Sequence, residues 1–367
     1  MNNSSISFSN NLNTNFVSEL RSRVNGYFKT HNISRFGTPG MKLKTIFMLS
    51  LYLVPYALII SGGIADSLPV IACWIIMGAG MAGIGLSVMH DANHGSYSAN
   101  AKVNRVLGYL LNFLGGSSAN WKIQHNTLHH SFTNIEGMDE DIHSNVLLRF
   151  SPHYRKYRIH RWQHYYAWFF YSIMTLYWFL LKDYLQLMRY KRNGMLKKHG
   201  KNFGKLMVEL IISKILYATY ILALPLLFSS TPWWITILSF LGMQMISGLV
   251  LSVVFQCAHV MPSTEYPLPD IEGNVENNWA VHQLITTTNF SPKSKLFSWL
   301  IGGLNYQIEH HLFPNICHVH YRKISDIIRK TALEYGLPYN IQPNFVIALL
   351  NHTKMLKTLG RQSAISG

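Results

Sequence analysis

Pro69-Val-Ile-Ala-Cys-Trp-Ile-Ile-Met-Gly-Ala-Gly-Met-Ala-Gly-Ile-Gly-Leu-Ser-Val-Met89 runs for 21 residues without a charge, and His90-Asp-Ala-Asn-His94 follows at once. A helix needs ~20 apolar residues to cross a bilayer. The stretch therefore reads as a membrane span with two histidines just beyond its end. Three more runs of that kind follow from the same reading, at 45–65, 206–229 and 233–256. They pair into two hairpins, turning at Asp66-Ser67-Leu68 and at Ser230-Thr231-Pro232. The third run carries Glu209 and Lys214 near its start, where long side chains can reach the interface.

Composition agrees. Of 367 residues, 49% are apolar and 13% charged, about half the ~25% charged share of a soluble domain. That excludes an ordinary soluble enzyme, and the long apolar runs exclude a disordered chain. The formal net charge of +16 could suggest nucleic acid, but its distribution points to a membrane face and no nucleic-acid partner. Lys and Arg number six in 1–44, sixteen in 89–205 and nine in 257–367, and neither hairpin turn has one. Positive charge marks the cytoplasmic side. Both termini and the middle loop are thus expected in the cytoplasm.

Cys73, Cys257 and Cys317 form no C-x-x-C pair and read as reduced packing residues. Residues 1–20 lack the apolar core of a signal peptide. The end Ala364-Ile365-Ser366-Gly367 is neither a retention signal nor a prenylation box.

Two segments test the four-span reading. Trp162 to Leu181 is nearly long enough to cross and is dense in Trp, Tyr and Phe. A crossing there would put the histidine clusters on opposite sides, so an interfacial position is expected, where Trp and Tyr are favoured. Residues 105–119 are apolar but too short to cross, and fit an interfacial or re-entrant segment. The fold class expected is all-α: four transmembrane helices in two hairpins under a cytoplasmic helical cap. Its parts are an N-terminal segment 1–44, a membrane domain 45–340 and a tail 341–367.

Seven of the 18 histidines fall in three clusters: His90-Asp91-Ala92-Asn93-His94, His125-Asn-Thr-Leu-His129-His130, and Gln307-Ile308-Glu309-His310-His311. Residues three or four apart share a helical face, so each cluster can present imidazoles together. His259, three residues past the fourth run, ends on the same side. A single histidine is usually a core or interfacial residue. Three clusters on one membrane face are not, and they predict metal binding by His90, His94, His125, His129, His130, His259, His310 and His311. So many nitrogens imply two metals, and imidazole alone does not name the element. Gln307, Asp91 and Glu309 stand as further ligands or as acceptors that orient the imidazoles. His282, His318 and His320 read as supporting residues, and His143, His153, His160 and His164 as members of a wet basic loop. Small residues in the second run, such as Gly78 and Gly80, favour close helix packing over room for a substrate chain.

The three clusters, with Asn305-Tyr306 before the third and Leu312-Phe313-Pro314 after it, resemble the histidine boxes of the membrane fatty acid desaturases. The resemblance covers roughly residues 35–340. Gln307, where most of the superfamily has histidine, resembles the front-end group, which inserts a double bond between an existing one and the carboxyl end. Gln256-Cys257-Ala258-His259 resembles the segment that supplies an extra metal histidine in stearoyl-CoA desaturase. Phe255 stands where that enzyme has an asparagine. No His-Pro-Gly-Gly haem motif is present.

The resemblance implies two iron ions, dioxygen as co-substrate, and an acyl substrate linked to CoA or lipid. Two hydrogens leave adjacent methylenes, and a cis alkene and water form. It also implies a separate electron donor, such as a cytochrome b5-type protein or ferredoxin, which the basic loop could attract if acidic. The absent haem domain favours a bacterial inner membrane over the endoplasmic reticulum. The rival readings are a sphingolipid desaturase or lipid hydroxylase of the same superfamily and, in another class, a histidine-rich metal transporter or a metal protein without turnover.

Overall fold

The computed structural model describes residues 6–9, 14–143 and 146–363. The end 364–367 lies outside them. Among the described residues, four helices are long and apolar enough to cross a membrane: Pro39–Ile60, Ser67–Asn93, Phe203–Phe228 and Trp233–His259. The chain is an integral membrane protein, and its secondary structure is overwhelmingly helical.

The span boundaries differ from the sequence reading for local reasons. The first span starts earlier, because Pro39 suits the first helical position after an extended Thr38. Asp66 takes the N-cap position of the second span, so the first hairpin turn is 61–66. The second span does not end at Met89. A π-helical turn at Ile84–Met89 carries it directly into His90–Asn93.

The described residues form two units. One comprises 38–123 and 168–252; the other comprises 1–37, 124–167 and 253–367, as far as these are described. In the first, the second span is packed by small residues. A Cβ on Gly80 would stand 2.9 Å from the backbone of Leu51 and Tyr52, and one on Gly78 2.9 Å from the Met243 carbonyl. The packing reading of these glycines therefore holds.

Lys214 corrects the sequence reading. The third span begins at Phe203, so Lys214 lies about three turns inside it. Its side chain turns inward and is buried. The aromatic run after Trp162 is broken into helices Gln163–Ser172 and Met174–Tyr177, a π turn at Trp178–Lys182 and a helix Asp183–Arg192. It is not among the four helices long and apolar enough to cross. Segment 105–119 contributes two short helices, Ala101–Gly108 and Leu110–Phe113.

The second unit draws on three stretches of chain. Helix Thr14–Thr30 lays Phe16, Leu20 and Val24, at helical spacing, against Ile324 and Ile328 of helix Tyr321–Glu334. Two parallel strand pairs, unforeseen in an all-α reading, join distant segments: Ser7–Phe8 with Asn274–Val275, and Asn289–Phe290 with Ile341–Gln342. Buried Arg149 donates to the carbonyls of Tyr154, Pro152, Leu359 and Gln362. Helix Phe345–Arg361 is held so closely that a Cβ on Gly360 would collide with the His160 carbonyl.

Candidate metal centre

The second box occupies a π-helical stretch, Lys122–His129, which passes into His130–Phe132. This corrects the helical geometry assumed from spacing. In an α-helix, His130 would point roughly 140° away from His125. Hydrogen bonding at i→i+5 brings residues four and five apart back beside the first. All three imidazoles of the box therefore converge. The Nε2 atoms of His125 and His130 lie 3.3 Å apart, and that of His310 lies 2.9 Å from His130's. Two nitrogens bound at right angles to one metal at ~2.1 Å are ~3 Å apart. Both of these pairs have about that spacing.

A second triad lies in the same unit. The candidate ligand nitrogens of His129, His259 and His311 are within 4.8 Å of one another, and all three residues are buried. The Nε2 atoms of His129 and His259 have no hydrogen-bond partner among the described residues. Buried polar atoms are normally paired, so these two mark the place of a cation. The donor set fits one: neutral imidazoles suit iron, copper, nickel or zinc.

The outer ring nitrogens are held by residues that the sequence reading missed. His129 Nδ1 donates to both carboxylate oxygens of Asp139 at 3.1 Å. His311 Nδ1 donates to Gln283 Oε1 at 2.8 Å, and His259 Nδ1 to the Thr286 carbonyl at 3.3 Å. His310 Nδ1 meets the Tyr321 hydroxyl at 3.1 Å. Each bond turns Nε2 towards the centre, as partners of metal-bound histidines commonly do. A signal for Asp139 was available. Glu136, Asp139, Glu140 and Asp141 are an acidic knot within a basic loop, shortly after the second box.

Burial pushes the His129 imidazole down, but Asp139 and Asp141 override it and raise the ring to about 9. Asp139 is also buried, yet His129 and the amides of Asn134 and Asp141 hold its carboxyl below the usual range. This anionic setting favours a cation at His129 Nε2. Asn134, at φ 59°, fits beside it and donates to the carbonyls of His259 and Glu265.

Of the further candidates, Gln307 is fully buried, with its side chain within hydrogen-bonding reach of His259. Glu309 faces elsewhere. Its carboxylate accepts from Tyr339 at 2.5 Å and from Asn289 at 2.8 Å, and burial pushes it up to about 7. Asn289 also accepts from the Ile308 amide, so the pair braces the third box. His282 supports the second box through the Thr133 carbonyl, at 2.8 Å. His320 meets the Phe36 carbonyl at 3.0 Å. The wet-loop reading fails for His160 and His164, which are buried. His160 accepts from the Tyr157 amide and donates to the Val146 carbonyl.

The first box belongs to the other unit. His90 and Asp91 are buried at the end of the second span, with His90 Nδ1 3.9 Å from Asp91 Oδ1. The Trp121 ring packs edge-on to both histidines, at 5.6 Å from His90 and 5.5 Å from His94.

Comparison with known proteins agrees with this chemistry. A family model described as fatty acid desaturase matches residues 65–343. A sn-1 linoleoyl-lipid 6-desaturase of Synechocystis is 35% identical, covering 94% of this chain and 95% of its own. One from Arthrospira platensis is 36% identical, covering 94% and 92%. An acyl-lipid (8-3)-desaturase of Physcomitrium patens is 35% identical over 95% of this chain and 72% of its own. The transporter reading is set aside. The chain belongs to the fatty acid desaturase family and is an oxidoreductase that introduces double bonds into fatty acyl chains.

Proposed function

We propose that this desaturase is a front-end enzyme acting on lipid-linked acyl chains, with two irons held by His90, His94, His125, His129, His130, His259, His310 and His311. The observation that carries the regiochemical reading is Gln307, buried beside His259 at the first position of the third box. Its amide oxygen would serve as a further ligand to a bound iron, or as an acceptor that orients a neighbouring imidazole. Lipid linkage is supported by the named substrates of the cyanobacterial relatives. The first box enters this ligand set on the sequence pattern of the family.

Iron, when bound, supplies the reduction of dioxygen to two waters, using two electrons and two protons from outside and two hydrogens from adjacent methylenes. The chain supplies position. Asp139, Gln283, Tyr321 and the Thr286 carbonyl orient the imidazoles before metal enters, which lowers the reorganisation needed on binding. Burial of both triads keeps bulk water from the reacting methylenes. Electrons come from a partner such as a cytochrome b5-type protein or ferredoxin, and the metal site faces the cytoplasm.

Fatty acid profiling by gas chromatography–mass spectrometry tests this reading. The chain is expressed in a host fed oleate or linoleate, beside a His94→Ala control. A new double bond on the carboxyl side of the existing one, absent in the control and recovered in glycerolipid, is expected. A hydroxylated product, or a new bond on the methyl side, overturns the front-end assignment.

A further inference from the structure

Lys214 and Asp183 form a buried ion pair that the metal chemistry does not use. Lys214 Nζ donates to Asp183 Oδ2 at 2.6 Å, to the Trp178 carbonyl at 3.0 Å and to the Gly115 carbonyl. An ammonium has three protons, and all three are engaged. Asp183 is equally committed. Its Oδ1 accepts from the Trp178 indole at 2.9 Å, and its main-chain carbonyl accepts from the Asn120 side chain at 2.8 Å. Both side chains are almost entirely buried.

A buried pair of this kind is rarely a gain in stability, because desolvation offsets the attraction. Charged groups within membrane spans commonly mark function. The partners here converge on one place. Asn120 precedes Trp121. Trp178 packs with Trp121, Met89 and Leu111 in one apolar cluster. Met89 is the residue before His90, and the Trp121 ring lies against both His90 and His94. Gly115, at φ 84°, sits where a Cβ would strike the Tyr217 ring, one turn beyond Lys214. The pair thus anchors the 115–121 segment, Trp178 and the third span to one another around the first box.

We propose that Lys214 and Asp183 are positioning residues for the first histidine box, acting through Asn120, Trp178 and Trp121. The inference rests on the assignment of His90 and His94 as iron ligands. The test is iron titration and Mössbauer spectroscopy of the purified full-length protein. The variants are Lys214→Met, Asp183→Asn, the paired Lys214→Met/Asp183→Leu, Trp178→Phe and His94→Ala, with Lys214→Arg as the conservative exchange.

The paired variant removes both charges, so no uncompensated ion remains to unfold it. Trp178→Phe keeps the packing and removes one hydrogen bond to Asp183. About tenfold weaker retention of iron is expected in the paired variant, within the range seen for residues that orient ligands. An altered iron spectrum is expected in Trp178→Phe, and partial recovery in Lys214→Arg relative to Lys214→Met. In turnover assays kcat falls and KM for the acyl substrate is unchanged. Parental iron affinity and spectra in the paired variant and in Trp178→Phe, with His94→Ala impaired, overturn the positioning role alone. Parental iron binding in His94→Ala overturns the ligand assignment beneath it.

Discussion

Each unit of this desaturase has a buried aspartate at the centre of a polar network, Asp139 in one and Asp183 in the other, and the two serve different ends. Asp139 accepts from an imidazole and from two backbone amides. Asp183 accepts from an ammonium and an indole. The partner decides what each carboxylate does. An imidazole can give up its proton when a cation takes its place, so Asp139 can orient the His129 ring for a cation at Nε2. An ammonium retains its charge, so Asp183 and Lys214 are locked together. One aspartate tunes a ligand, and the other fixes a scaffold.

The largest effect should come from splitting the locked pair. Asp183→Ala strands a buried ammonium and should cost about 3–5 kcal/mol, whereas Lys214→Met/Asp183→Leu should be near neutral in stability. Thermal unfolding in detergent measures both. If the single variant is as stable as the parent, the contrast between the aspartates collapses.

Acid should discriminate the units next. His282 and His352 are buried and neutral, and burial pushes each down to about 4. Their contribution is present above pH ~6.5, the unfolded value, and is lost as pH falls towards 4. It amounts to about 3 kcal/mol for each at most. Hydrogen exchange should show helices Trp279–Thr286 and Phe345–Arg361 losing protection first over that interval. His352→Gln should flatten part of the slope.

Removing the steering carboxylate should matter less for stability than for metal. Asp139→Leu should fold, because His129 can stay neutral, but retain iron 10–100-fold less tightly, as read by competition with a chelator. The smallest effect is expected at the brace behind the third box. Tyr339→Phe removes one hydrogen bond to Glu309 and should cost about 1–2 kcal/mol, with iron affinity falling less than in Asp139→Leu.

These residues also mark what could be read before folding. The four spans and the three boxes were legible, because hydrophobic length and histidine spacing are local properties. His259 was legible from its distance to a span end. His130 was placed in the set, but its geometry was not, since an α-helical period hides the π turn that brings it beside His125. Gln283, Thr286 and Tyr321 carry no spacing signal, because their roles arise from contacts between segments far apart in sequence. Lys214 was misread as an interfacial residue, since its span begins earlier than charge and hydropathy suggested. His160 and His164 look wet by composition and are buried by the return of the C-terminal helix.

That return has a consequence for how the enzyme is made. Arg149 clasps Leu359, and Gln163 holds the Leu356 carbonyl, while both nitrogen triads need His310 or His311. A ribosome delivers ~5–20 residues per second, so the second box waits through at least 180 residues of synthesis for its partners. Neither triad can exist until the third box has emerged. On the proposed di-iron reading, metal loading is therefore a late event in biogenesis, and insertion of the four spans proceeds without it.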